Sequence, residues 1–478
     1  MVIGQTAACR IAQALAVASL ASANPVAADT PPVGATDLAI AAVLRDRAMA
    51  GDNVAFGLLE SLTTEVGPRT AGSPEMRRAA DWAVKHMQEL GFQHVHREPF
   101  KVDRWVRGVE SAEVVGPFAQ RLVITAIGGS VATPPEGLEA QLVIFGSYDE
   151  FLAAPPASIA GKIVVVTQTM PVGGYPGYFQ LRSQGANQAA RRGAVAYLVR
   201  SLATDDRRTP HTGTLFYDDG TDGGPAVRRI PAAALSGPDA EQLERLASRG
   251  GAVRLKLTLT PTLVPGQTTE TVVGDIPGRD PAAGIVLIGG HLDSWDLGTG
   301  ALDDGAGVAV TMAAAKLVAS LPNRPRRTIR VALFGAEEIG ESRKAFAAAH
   351  PAAEQAEIAI ASECDLGADH IYSIQLPPGQ QNSAFASLLA RAIQPIGAFV
   401  AREAASDGGA DLELLAGVPL ANLRQEDARY FDFHHSADDT LDKVDRRQLN
   451  QNVAAWTVFA LLAADAPGDF RQARVGTR

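Results

Sequence analysis

From residue 284 onward the chain alternates apolar runs with helix-like stretches, and this alternation sharply limits the folds open to it. The runs at 285–288, Thr328–Phe334 and 358–361 are rich in Val, Ile, Leu and Ala, with little polar alternation. Between the first two lies Gly305 to Ser320, dense in Ala and Val and long enough for a helix. Strands that read as continuous apolar runs are buried on both faces, and helices must then cover those faces. The expected class is α/β, with a mainly parallel central sheet and helices on both sides.

Upstream, the texture differs. Residues 37–62 read as helical. A turn follows at 66–72, and Ser73-Pro74-Glu75 supplies an N-cap, a first-turn proline and an early acid. That helix should run to Leu90 and stop at Gly91. From about 115 to 262 short β-rich runs (141–145, 162–166, 194–199) are separated by Pro/Gly-rich loops, with one helix near 184–192. The expected organisation is a β-rich domain at 115–262 inserted between two parts, 29–114 and 263–478, of a larger α/β domain.

The N-terminus reads as an export signal. Arg10 precedes an apolar run at 11–20, too short to span a bilayer, and small residues lead to Ala28. Residues 1–28 are therefore expected to be removed and the mature chain to be secreted or periplasmic. Of the two cysteines, Cys9 would leave with this segment, so Cys364 has no partner in the chain. No later run has the ~18 apolar residues of a membrane span. The net charge of −10 comes without a Lys/Arg block, which argues against a nucleic-acid partner.

In open α/β sheets, sites form beyond the carboxyl ends of strands. Here those ends carry His291-Leu-Asp293, Glu337-Glu338 and Glu363-Cys-Asp365. Imidazole and carboxylates are the nitrogen and oxygen ligands that zinc takes. A two-metal hydrolytic centre needs one bridging carboxylate, since its ions lie ~3.5–4 Å apart. Asp303, in a loop with Gly298, Gly300, Gly305 and Gly307, is the natural bridge, and Asp304 can fix that loop. Adjacent Glu337 and Glu338 should diverge, one toward metal and one toward substrate as general base. Asp293 is placed to orient His291. A further ligand is expected from the aromatic segment 430–440, which contains His434 and His435. Each piece alone has a plainer reading: a capped turn, a solvated helix face, a tight loop. Their conjunction at successive strand ends is what points to a metal centre.

The set Gly290-His-Leu-Asp-Ser-Trp-Asp296, Ala301-Leu-Asp-Asp-Gly305, Ala336-Glu-Glu338, Ser362-Glu-Cys-Asp365 and His435-Ser-Ala-Asp-Asp-Thr440 resembles the M28 family of co-catalytic zinc peptidases. The resemblance implies two Zn2+ per chain. It matches His291, Asp303, Glu338, Asp365 and His435 to the metal ligands, Glu337 to the general base and Asp293 to the acid behind the first histidine. It selects His435 over His434, because the family's ligand stands four residues before the Asp of Asp-Thr, here Asp439. It likens the insert to a protease-associated domain that roofs the cleft, and it implies a homodimer. Tyr430 and His211 are weaker candidates for substrate contact. The implied activity is hydrolysis of dipeptides or of N-terminal residues from short peptides. The rivals are a carboxypeptidase acting from the C-terminus and a non-catalytic binding protein on the same fold.

Overall fold

The computed structural model describes residues 35–471, apart from 117, 205–206 and 221–224. The expected export signal at 1–28 lies outside the described residues. The central sheet has five strands: β1 (Gln93–Val106), β2 (Thr262–Ile276), β3 (Ile285–His291), β4 (Thr328–Phe334) and β5 (Ile358–Glu363). Their spatial order is β1-β2-β4-β3-β5.

β3 pairs in parallel with β4 and β5, with His291 level with Phe334. β2 runs antiparallel to both β4 and β1. The sheet is thus mixed, and the expectation of a mainly parallel one holds only for its β4-β3-β5 half. β1 and β2 form a long antiparallel ribbon at the edge, and β1 is largely polar, with only Val102 buried. An edge strand needs no apolar run, so composition does not announce it.

Along the buried strands, successive side chains enter two different cores. Val286, Ile288, Ile329, Val331 and Leu333 point to one core, shared with helices Ala35–Met49, Ala306–Ala319 and Arg446–Asp465. Leu287, Ala332 and Phe334 point to another, shared with Phe346 of helix Ser342–Ala349. Covering both faces is what makes these runs read as continuous rather than alternating.

The N-terminal helical stretch is broken. Helix Ala35–Met49 ends before Gly51, which has φ 82°, and a new helix starts at Ala55. Helix Pro74–Leu90 matches its expected caps: the Ser73 hydroxyl accepts from Met76 N, and Gly91 is left-handed. A second, eight-stranded sheet is built from segments between Glu110–Val115 and Arg254–Leu259, with a core of its own. Its central strands Leu138–Phe145, Ile163–Val166, Ala196–Arg200 and Ala232–Leu235 are parallel. Helix Tyr175–Ser183, which begins in a Pro/Gly-rich stretch, precedes the expected helix near 184–192.

Candidate metal centre

β3 lies where the order of the parallel strands reverses, with β4 on one side and β5 on the other. The carboxyl ends of β4 and β5, with the loop after β3 that carries Asp303, open into one cavity of about 540 Å³. Its lining includes Asp303, Glu337, Glu338, Asp365, Tyr430, His434 and His435.

Asp303 stands at the centre. Its Oδ1 is 3.0 Å from His291 Nε2, and its Oδ2 is 3.2 Å from His435 Nε2. Each oxygen therefore faces a different histidine. On one side, Asp365 Oδ1 is 3.5 Å from His291 Nε2. On the other, Glu338 Oε2 is 2.9 Å from His435 Nε2, and Glu338 Oε1 is buried without a partner. His291, Asp303 and Asp365 form one group able to hold a cation, and Asp303, His434 and His435 form a second. His434 stacks on His435 at 3.4 Å between ring centres but stays 3.9 Å from Asp303.

The loop under Asp303 is fixed from three directions. Asp304 accepts from His291 N and Gly307 N, both at 3.0 Å. A Cβ on Gly290 or Gly307 would come within 2.4 Å of the Asp304 carboxylate, so only glycine fits there. Asp439 accepts from the backbone N–H groups of Ala301, Leu302 and Asp303. Arg69, fully buried in the 66–72 turn, donates to the carbonyls of Leu292, Thr299 and Gly300. Arg69 and Asp439 were not singled out as site residues from sequence. The turn was visible, but nothing in its spacing shows that the arginine reaches a loop more than 200 residues away.

Asp293 acts through two atoms. Its backbone carbonyl takes His291 Nδ1 at 3.0 Å, whereas its carboxylate is 3.6 Å away. That carboxylate instead accepts from Glu337 N at 3.0 Å, tying the turn that presents Glu337 to the strand end that presents His291. Tyr430 is buried, with its hydroxyl 3.4 Å from Asp365 Oδ1. His211 is buried but not among the residues lining the cavity, and burial lowers its pKa to about 3. From the second sheet's side, the Thr212 carbonyl lies 3.3 Å from His435 Nδ1, and Arg182 Nη1 lies 3.2 Å from the same nitrogen.

So many buried carboxylates cannot all ionise freely. Burial, reinforced by Asp365, Asp411 and Glu338, lifts Glu337 well above the usual range against the pull of His291. Burial and then Asp303 do the same for Glu338. Burial also opposes the charge on Asp303, but hydrogen bonds from His291 and His435 hold its pKa well below the ordinary value. A centre that confines these carboxylates around His291 on one side and His434 and His435 on the other is one that cations would relieve.

The model for peptidase family M28 matches residues 271–460, which include every residue expected to bind metal. Carboxypeptidase Q of Mus musculus is 36% identical over 418 residues, covering 86% of each chain. Carboxypeptidase Q of Homo sapiens is 34% identical, again over 86% of each. The crystal structure of a peptidase M28 precursor from Shewanella amazonensis superposes with a TM-score of 0.87 at 40% identity, over 91% of this chain and 98% of that one. A zinc aminopeptidase from Bacillus subtilis shares the fold, with a TM-score of 0.61 at 21% identity over 86% and 96%. With the alignment extending over most of the chain and the cavity at the expected strand ends, the protein belongs to peptidase family M28 and is a metallo-exopeptidase.

Proposed function

We propose that the chain is a two-zinc exopeptidase that hydrolyses dipeptides or releases N-terminal residues from short peptides. The observation that carries this reading is the division of Asp303, one oxygen toward His291 and the other toward His435. The donors suit zinc: His291 and Asp365 would hold one ion, Glu338 and His435 the other, with Asp303 shared between them. When bound, zinc supplies a lowered pKa for water and a Lewis acid for the scissile carbonyl.

The chain's own groups do the rest. Glu337, presented beside Asp365 and Glu338, takes the proton of the attacking water and delivers it to the leaving amine. Its raised proton affinity suits the second half of that task. Asp293 holds the Glu337 turn and the His291 ring in register. Tyr430 is positioned to donate toward an oxygen at the Asp365 side. Phe431, stacked on Tyr175 at 4.2 Å, helps to wall the cavity from water. His211 is assigned to packing. The second sheet, with strands from Glu110 to Leu259, is read as the protease-associated domain expected at about 115–262 and covers the site, and the active form is a homodimer outside the cell or in the periplasm.

The test is a dipeptide panel run on wild type and Glu337→Gln, with metal analysis of both. Both proteins should bind two zinc ions per chain, and the variant should lose about 100-fold or more in kcat/KM, as expected for a general base. Equal rates would remove Glu337 from the mechanism, and less than one metal per chain would favour a binding protein.

A further inference from the structure

Arg182, in helix Tyr175–Ser183, lines the same cavity yet has no acidic partner. It is 3% exposed. Its Nη2 donates to the Tyr175 hydroxyl at 2.6 Å and its Nη1 to the Thr212 carbonyl at 3.1 Å. Its Nε is buried without any partner. Among the described residues no carboxylate forms an ion pair with it. Burying an unpaired charge is strongly unfavourable, and a guanidinium cannot escape by losing its proton. Such a group is retained where an anion comes to it.

Two features hold the guanidinium ready. Its central carbon sits 5.5 Å from the ring centres of both Tyr175 and Phe179. On another side is Gly213, at φ +143°, where a Cβ would stand 2.3 Å from Arg182 Cζ. Once His435 uses Nε2 as a ligand, its Nδ1 carries the proton and donates to Thr212, so Arg182 has no acceptor there. Of five N–H donors, two then remain engaged; Nε–H is unpartnered but packed against Gly213, so the remaining Nη1 and Nη2 hydrogens are those left for a ligand. The other arginine of the cavity, Arg343, is already ion-paired to Glu413.

We infer that Arg182 receives the C-terminal α-carboxylate of a dipeptide substrate. The inference rests on the exopeptidase reading above and narrows its substrate class. The chemistry of the substrate fits the reach. In a dipeptide the α-carboxylate carbon is only three bonds from the scissile carbonyl carbon, ~4 Å at most. Arg182 is one imidazole away from Asp303, through His435. A peptide with further residues, or with an amidated end, places a neutral amide where the carboxylate belongs and leaves the guanidinium unpaired.

The experiment compares kcat/KM for one dipeptide, its C-terminal amide, and an amide whose second residue is Asp. The wild type should prefer the free acid by about 10- to 100-fold, the range of a charge-assisted hydrogen bond. In Arg182→Gln that ratio should collapse toward one, with Arg182→Lys between, at unchanged zinc content. A wild-type ratio near one, or a ratio that survives both substitutions, overturns the proposal. Rescue of the rate by the Asp side chain would overturn the assignment to the chain terminus. Should the variants fail to fold, the wild-type ratio decides, together with inhibition by the released amino acid against its amide. If the wild type cleaves neither dipeptide nor amide, the exopeptidase reading itself has failed and the proposal falls with it.

Discussion

At the scale of single residues, the centre depends on groups that never meet a metal. Asp439 collects three backbone N–H groups of the bridging loop, and Arg69 collects three carbonyls around it. Asp411 shows how such packing sets a pH response. Burial raises its pKa to about 7, although the Ser342 hydroxyl donates to it. In the unfolded chain the same carboxyl ionises near ~3.9. Between those values the folded state binds the extra proton, so this contribution is complete at low pH and is lost as pH rises toward 7. Asp411→Asn removes the titration while keeping the shape. The stability of the zinc-free variant relative to zinc-free wild type should therefore increase from pH 5 to pH 8, measured as the difference in Tm. A constant difference would show that Asp411 does not titrate there.

At the scale of elements, the sequence was most legible where local chemistry and tertiary demand agree. Ser73 caps helix Pro74–Leu90 and Gly91 ends it, as the residue types require. Ser73→Ala should cost about 1 kcal/mol, read from denaturant midpoints at unchanged slope. The strand ends bearing His291, Glu337 and Asp365 were legible for the same reason: buried strands leave few options for their composition. The edge ribbon of β1 and β2 was not legible, since its polar exposed face resembles a loop. The continuous helix expected at 37–62 is divided around Gly51, where a left-handed residue ends one helix before the next starts. Helix Tyr175–Ser183, which carries Arg182, begins in a Pro/Gly-rich stretch whose composition favours a loop.

For the whole molecule, loops flanking the five-stranded and eight-stranded sheets meet beside the centre through side chains far apart in sequence. Arg107 clamps Asp296 with two 2.8 Å contacts while also reaching Thr125 and Thr212. Thr214 donates to the Glu338 carbonyl. A metal bound at this centre would bind the folded arrangement and not the unfolded chain, so it should stabilise by mass action. Chelation should lower Tm in calorimetry, and zinc should restore it. The loss should be smaller in Asp303→Asn, which relieves the carboxylate crowding and weakens the site together. An equal loss in both proteins would separate metal affinity from the shared carboxylate.

The Thr212 carbonyl against the His435 ring has one more consequence. All five residues proposed to bind zinc lie within 291–435, so a truncation beginning at residue 263 would contain every one of them and still be incomplete. It would lack the atom that fixes the His435 tautomer, the Arg69 brace and the edge strand that pairs with β2. Co-expressing residues 29–262 as a separate polypeptide is then the natural complementation experiment. Recovery of peptidase activity only when both pieces are present would show that the centre is shared property of two distant stretches of chain.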